Sequence, residues 1–573
     1  MPVHNTDVAD IFSKIADLLD IEGENQFRIR AYRNAARTVS SLPQSVADMV
    51  ADDEDLSRLP GIGKDLAGKI KEIVETGTLS QLEELQGRTP AELDKLMKIP
   101  GLGPKKVQEL HKKLGIQNIE DLKRAATQQK IRNLPGFGKK TEDMILEGLA
   151  ASEGEEERIK LMVAEQIASS LVDYLHKVKG VKDISVAGSY RRRKETVGDL
   201  DILVTCKKGG KVMDRFTEYE DVTKVVSKGE TRSTVVLRSG LQVDLRVLPR
   251  PSYGAAIHYF TGSKAHNIAV RKLGVRKGLK INEYGVFKGD RRVGGTSEQE
   301  VFELVGLPYI EPELRENGGE IEAAVNGKLP SLIDVPDIRG DLHSHTKETD
   351  GKNTLHEMAA AAKERGYEYL AITDHSKKVT MARGLDARRL RKQMDEIDRL
   401  NMEFKDFHVL KSIEVDILKD GSLDLPDEVL KELDFTVCSV HYNLNLSKDK
   451  QTERIIRAMD NRYFNILGHP TGRLINERQP YELDMERLME AARDRGCYFE
   501  LNAHPDRLDL TDRYCKMARE MGIKIAVSTD AHSTTDLDYM RFGVWQGRRG
   551  WLEPEDVLNT RSWKDLRKLL QRT

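Results

Sequence analysis

The sequence has few cysteines: Cys206, Cys438, Cys497 and Cys515 are the only four in 573 residues. None forms a Cys-x-x-Cys pair, which excludes a disulfide framework and makes a reducing cytoplasmic compartment the expectation. No run of 18 or more apolar residues occurs, so no membrane-spanning segment is predicted. The acidic, amphipathic N-terminus (Val8, Ile11, Ile15, Leu18, Leu19) is unlike a secretory signal. Net charge is also small, at −2, which taken globally argues against a nucleic-acid ligand.

The distribution of charge changes that inference. Residues 1–100 carry 12 Lys and Arg against 18 Asp and Glu, whereas residues 101–300 carry 38 against 26. A locally basic region is what phosphate-rich ligands require. At 39% hydrophobic and 32% charged the composition is that of an ordinary globular protein, and the length predicts three to five domains. Nine of the 14 histidines follow residue 336, a skew that points to a metal site.

Residues 1–150 read as short amphipathic helices with a weak repeat: LPGIG at 59–63, IPGLG at 99–103 and LPGFG at 134–138. Gly61, Gly63, Gly101, Gly103, Gly136 and Gly138 would turn backbone amides outward at helix N-termini, where a DNA phosphate can be held without reading sequence. Lys64, Lys105, Lys106, Lys139 and Lys140 follow. Residues 63–70, GKDLAGKI, nearly spell a P-loop, but Ile70 offers no hydroxyl and no apolar strand precedes it, so an NTPase is rejected.

The stretch 188–204, GSYRRRKETVGDLDILV, sits in the basic region. Asp199 and Asp201 lead into a β-prone run, so both carboxylates project from one strand face. Gly188 and Ser189 form a turn upstream, and Arg191 and Arg192 could grip a phosphate chain. Asp244, a lone acid in the alternating strand 242–246 (QVDLR), adds a third carboxylate. Three carboxylates can hold the paired ions that phosphoryl transfer uses.

Beyond Pro330 to Pro336, strand and helix patterns alternate to the end, predicting a parallel sheet or barrel. His343, His345, Asp350, His375, Glu414, His441, His469, Asp530 and His532 fall at strand ends. Such ligands would converge on one rim, where imidazole and carboxylate suit Zn2+, Mn2+ or Fe. His504 is a weaker tenth candidate.

These motifs, with YFTGS at 259–263 and INEY at 281–284, make residues 1–318 resemble family X DNA polymerases, the group of DNA polymerase beta. Residues 337–573 resemble the polymerase and histidinol phosphatase (PHP) domain, a distorted (β/α)7 barrel with a trinuclear site. The resemblance implies a multidomain fold: an N-terminal helix-hairpin-helix domain (1–80), a helical DNA-binding domain (81–150), an α+β palm (151–250), a thumb for nucleotide selection (251–318), a linker (319–336) and the PHP domain (337–573).

The resemblance also implies roles. Asp199 and Asp201 would bind both Mg2+ or Mn2+ ions, and Asp244 the ion nearest the primer 3′-hydroxyl. Gly188, Ser189, Arg192 and Gly198 would grip the triphosphate. Tyr259, Phe260, Thr261 and Gly262 would lie along the deoxyribose, Asn267 and Arg271 at the minor groove, and Arg246 would tune the acids. Lys69 matches the Schiff-base lysine of the deoxyribose-phosphate lyase, but Asp65 replaces a basic helper; a phosphate-binding lysine is the other reading. Lys264 replaces an acid. Two or three ions of Zn2+, Mn2+ or Fe would occupy the PHP site in three sets: His343, His345, Glu414 and Asp530; Asp350, His375 and His469; Glu414, His441 and His532.

The expected function is gap-filling repair synthesis on gapped or primer-template DNA with dNTPs, joined to a Mn2+-dependent 3′–5′ exonuclease that also acts on 3′ blocks or abasic sites. A cytoplasmic, nucleoid-associated monomer is expected, and no protein partner is identified. A PHP phosphatase for small molecules, or a DNA-end scaffold without catalysis, are the alternatives.

Overall fold

The computed structural model describes residues 3–40, 42, 44–88, 93–97, 99, 102–152, 158–206 and 209–572. Gly101 lies outside the described residues. No described helix is long and apolar enough to cross a membrane.

The N-terminal helices form around two cores, because their apolar residues recur at helical spacing. Phe12, Ile15, Tyr32, Ile70 and Leu85 belong to the first, and Leu102, Leu110, Leu122, Ile131 and Ile145 to the second. One backbone bond recurs in all three hairpins: Ile62 N–H to the Leu59 carbonyl (3.1 Å), Leu102 to Ile99 (3.1 Å) and Phe137 to Leu134 (3.2 Å). Gly63 and Gly103 cap the helices Lys64–Thr76 and Pro104–Leu114 in extended conformation. The third hairpin departs from this pattern, since Gly138 itself opens the helix Gly138–Ser152 at φ +55°.

A five-stranded sheet follows, in the order Asp183–Val186, Asp199–Thr205, Gln242–Leu248, Arg232–Leu237, Val222–Lys228. The pair Asp199–Thr205 and Gln242–Leu248 runs parallel and sets Asp201 directly opposite Asp244. Helices Leu161–His176 and Gly210–Thr217 supply apolar residues to its core. Helices Tyr253–Thr261 and Lys264–Arg276 then lead to a three-stranded antiparallel sheet and the helix Glu298–Val305. The expected linker is not a bare connector: residues 319–336 include the helix Glu320–Val325, and Ile333 is buried in the C-terminal core.

The C-terminal region holds two parallel sheets. One comprises Gly340–Asp341, Tyr369–Ile372 and His408–Lys411; the other comprises Glu414–Asp416, Val437–Ser439, Ile466–Leu467, Tyr498–Asn502 and Ile525–Ser528. Their strands are almost wholly buried, as parallel strands covered by helices are. A continuous barrel is not seen among the described residues: the two sheets are linked only by single bridges, His375 to Glu414 and Ser344 to Ala531.

The central sheet and the C-terminal region share a core. Ile475, Ala503, Leu508, Tyr539 and Phe542 pack in one cluster with Leu161, Leu171, Leu200 and Val243. Around it run ion pairs Lys160–Asp506 (2.6 Å), Arg541–Glu165 (2.7 Å) and Arg473–Glu195 (2.6 Å). Phe542 is 1% exposed, so Phe542→Ala is expected to cost about 3–5 kcal/mol, read as a lower midpoint in urea denaturation. An unchanged midpoint would show that this shared core carries little stability.

Candidate metal centres

The first centre is built on the parallel strand pair. Side chains two apart on a strand share a face, so Asp199 and Asp201 project together, and register adds Asp244 beside Asp201. Asp244 is 7% exposed and accepts hydrogen bonds from the Thr234 hydroxyl and from Arg232 at 3.4 Å. Burial, then the charges of Asp199 and Asp244, push Asp201 up to about 7. Three crowded carboxylates that repel one another fit a divalent cation, which would relieve both effects.

Beside the acids opens a cavity of about 850 Å³. Gly188, Ser189, Arg192, Asp199, Asp201, Tyr259, Phe260, Gly262, Asn267 and Arg271 line it, as does Lys264. Gly188 takes φ +64°, and a Cβ there would stand 3.0 Å from the Asp201 carboxylate, so a side chain would crowd the acid. The Ser189 hydroxyl is buried with no hydrogen-bond partner, an orphan that a phosphate oxygen would satisfy. Asn267 donates to the Tyr259 carbonyl (2.7 Å), Arg271 lies over the Tyr259 ring (4.9 Å), and Arg246 lies over Phe260 (4.3 Å). Gly198 lies outside the lining and joins the short strand Thr196–Val197 to Asp199. Arg192 is engaged within the protein, donating to Glu316 at 2.9 Å and to the Thr261 carbonyl. Arg191 points to the other side, where it holds Glu298 at 2.7 Å and Thr261 at 2.6 Å.

The second centre lies at the C-terminal ends of the parallel strands. His343, His345 and Asp530 form one group; His345, Asp350, His375 and His532 a second; His375, Glu414 and His441 a third. Glu414 Oε2 also lies 3.7 Å from His343 and 3.8 Å from His345, so the first expected set does converge. In the other two sets His469 and His532 trade neighbours, and His469 joins none of the three groups. His469 stands 2.9 Å from Glu414, whereas His532 stands 3.5 Å from Asp350. Neighbouring strands explain the exchange: Ile466–Leu467, which leads to His469, pairs with Val437–Ser439, which leads to His441. Residue 531 bridges to Ser344 instead, beside His345. His504 joins no group and packs on Tyr539 (4.9 Å).

Ring and carboxylate atoms of this centre are buried without hydrogen-bond partners: His343 Nε2, His345 Nδ1, His375 Nδ1, His469 Nδ1 and Glu414 Oε2. A set of orphaned imidazole and carboxylate atoms facing one another fits bound metal. His469 and Asp530 take left-handed backbone at φ +26° and +55°, strain of the kind kept at ligand positions. Three carboxylates absent from the expected sites orient these ligands. Glu500 accepts from His343 Nδ1 (2.7 Å) and from the His469 amide (2.6 Å), Asp416 pairs with His441 Nδ1 (3.0 Å), and Asp341 holds the Thr529 hydroxyl and amide. Such partners fix the ring orientation of a ligand. An acid inside the apolar strand Tyr498–Asn502 was the available signal for Glu500.

Comparison with known proteins places both centres. Residues 3–79 match a helix-hairpin-helix domain and 93–151 a SAM-like helix-hairpin-helix tandem. Residues 158–250 match the DNA polymerase beta palm, 256–316 its thumb, and 341–504 the PHP domain. Over its whole length the chain is 40% identical to the DNA polymerase/3′-5′ exonuclease PolX of Bacillus subtilis, and covers all of that protein. The chain belongs to the PolX family. It is also 29% identical to DNA polymerase lambda of Arabidopsis thaliana, over 55% of this chain and 62% of that one. A probable phosphatase of a Thermoanaerobacter species is 30% identical over 38% of this chain and 89% of its own.

Lys69, the expected Schiff-base or phosphate-binding lysine, is ion-paired in the structure. Lys69 donates to Tyr32 and Asp65, each at 2.7 Å. Burial would lower its amine, but Asp65 and Tyr32 outweigh it and raise the group above its ordinary value. A Schiff-base nucleophile needs the neutral amine, so the geometry favours an ion-paired lysine.

The charge state of both centres makes metal loading depend on pH. In the PHP centre burial opposes protonation of His532, but Asp350 and Asp530 prevail and raise it to about 9. Metal must displace that proton and, at the palm, the proton of Asp201. The Mg2+ concentration for half-maximal extension is therefore expected to fall as pH rises from 6 to 8, and the Mn2+ requirement of the PHP centre to fall from pH 7 to 9. Stability of the metal-free protein runs the other way at Asp201. Its folded value lies above the ordinary 3.8, so stability is lost as pH climbs from about 4 to about 7 and is restored by divalent metal. Metal titrations and melting curves across pH check both signs, and pH-independent metal requirements would contradict them.

Proposed function

We propose that the palm and thumb fill short gaps in DNA from template and dNTPs, and that the PHP centre trims 3′ ends in the 3′–5′ direction. The observation that carries the first half is the Asp201–Asp244 register beside a cavity with an orphaned serine hydroxyl and an arginine at its wall. Asp199, Asp201 and Asp244 would hold Mg2+ or Mn2+, which supplies charge neutralisation at the attacking and leaving oxygens when bound. Ser189 donates to the phosphate chain, and Arg192 turns from Glu316 to the triphosphate. Tyr259 and Phe260, held by Arg271 and Arg246, form the wall along the sugar. Asp244, kept oriented by Thr234 and Arg232, would help hold the ion at the primer 3′-hydroxyl and can accept that hydroxyl's proton.

In the PHP centre His343, His345, Asp350, His375, Glu414, His441, His469, Asp530 and His532 would hold two or three ions of Mn2+, Zn2+ or Fe. Such ions lower the pKa of bound water and polarise a phosphate ester. Glu500, Asp416 and Asp341 keep the ligands aligned. The likeness to a probable phosphatase supports removal of 3′-terminal phosphate, or cleavage at abasic sites, by the same centre. The hairpins, with exposed Lys64, Lys105, Lys139 and Lys140, would hold the DNA backbone.

One gapped, labelled primer, incubated with and without dNTPs, tests the division of labour. The double variant Asp199→Ala/Asp201→Ala is expected to lose extension by at least about 1,000-fold, an oxyanion-scale loss, and to keep trimming. His343→Ala is expected to do the reverse. Loss of both activities in both variants would sink the two-centre assignment, and trimming confined to small phosphomonoesters would favour the phosphatase alternative.

A further inference from the structure

The cavity beside the palm acids is not lined by palm and thumb alone. Thr511, Asp512, Gln546 and Arg549 of the C-terminal domain complete its wall. Arg549, its side chain 4% exposed, ends the helix Met540–Arg549. One of its nitrogens donates to the backbone carbonyl of Arg192 (2.8 Å) and to Glu316 Oε1 (3.1 Å), and the other to Asp512 (2.6 Å). Glu316 Oε1 is the same atom that accepts from Arg192 at 2.9 Å. The helix is fixed against the phosphate-side loop by more than this contact. Arg193 stacks on Trp545 at 3.9 Å, Arg541 pairs with Glu165 at 2.7 Å, and Phe542 enters the palm core.

From this geometry we propose that Arg549 is a positioning residue of the polymerase site, so that the nucleotide pocket is incomplete without the C-terminal domain. The inference rests on the assignment of the cavity to a nucleoside triphosphate. A triphosphate that recruits Arg192 takes the guanidinium away from Glu316, in a setting where Arg192 is only 12% exposed. Leaving that carboxylate without a partner would be costly. Arg549 already shares the same oxygen, so Glu316 passes from two guanidinium partners to one instead of to none. Arg549 also holds the Arg192 main chain through its carbonyl, which keeps the side chain aimed along the cavity. Charge is conserved in the exchange, since the triphosphate supplies the negative partner that Arg192 gains.

Steady-state filling of a one-nucleotide gap tests this with wild type, Arg549→Ala, Glu316→Gln and the double variant. Arg549→Ala is expected to raise the dNTP KM about tenfold, equivalent to about 1.4 kcal/mol, with kcat changed by less than about twofold. Adding Glu316→Gln removes the competing carboxylate and is expected to return KM to within about threefold of wild type. Trimming of 3′ ends by the same preparations serves as the folding control. An unchanged KM in Arg549→Ala, or a raised KM that Glu316→Gln fails to restore, would overturn the proposal. So would parallel loss of extension and trimming, the mark of a purely structural residue. Asp201→Ala separates the premise from the inference: if that variant still extends primers, the cavity assignment itself fails, whereas an inactive Asp201→Ala beside an unaffected Arg549→Ala removes only the role of Arg549.

Discussion

Two aspartates face each other across paired parallel strands, with a third beside them, and the polymerase half of the molecule is organised around their repulsion. Strand pairing fixes Asp201 opposite Asp244 whatever the side chains prefer, because the ladder of backbone bonds sets the register. Burial and like charge then push Asp201 up to about 7. The surroundings offset part of this strain. Arg232 and Thr234 hold Asp244, and Gly188 leaves out the side chain that would crowd Asp201. The remaining deficit is one that a divalent cation would relieve, and the cavity of about 850 Å³ opens at that spot.

The PHP centre meets the same problem with the opposite sign. Its histidines are buried among carboxylates, and the proximity of Glu500, Asp530 and Glu414 outweighs burial to hold His343 well above its ordinary value. Glu414, despite burial, is held well below its own by His375, His441 and His343. Bound metal would take the place of the protons that these carboxylates favour on the rings. Six strand ends contribute ligands, so the site needs both parallel sheets side by side to exist at all. The shell behind it, Glu500, Asp416 and Asp341, sits on those same strands or directly beside them.

The two centres are joined by packing and by charge. The helix Met540–Arg549 lends Phe542 to the palm core and ends in an arginine that lines the cavity beside the palm acids. Glu316 stands between Arg192 and Arg549, with burial opposing its ionisation and both arginines holding its carboxyl below the usual range. A carboxylate shared in this way lets one arginine change partners at small cost.

Much of this was legible in the order of residues. The i, i+2 spacing of Asp199 and Asp201, the glycine repeats and the histidines at predicted strand ends depend on local periodicity, which side-chain chemistry reveals without folding the chain. A lone acid in an alternating strand supplied Asp244, and the resemblance to family X polymerases supplied the residues expected along the sugar. Three things needed the tertiary structure. His469 and His532 exchanged neighbours because strand pairing, not sequence distance, decides which ligands meet. Lys69 gained a second partner, beside its local ion pair with Asp65, because Tyr32 on another helix lies within hydrogen-bond reach. Arg549, some 350 residues from Arg192, reached the cavity beside the palm acids because a shared apolar core docks one domain on another. The sequence by itself determined which chemistries the chain carries; only the folded arrangement decided which groups act together, since long-range proximity is set by packing and leaves no local pattern.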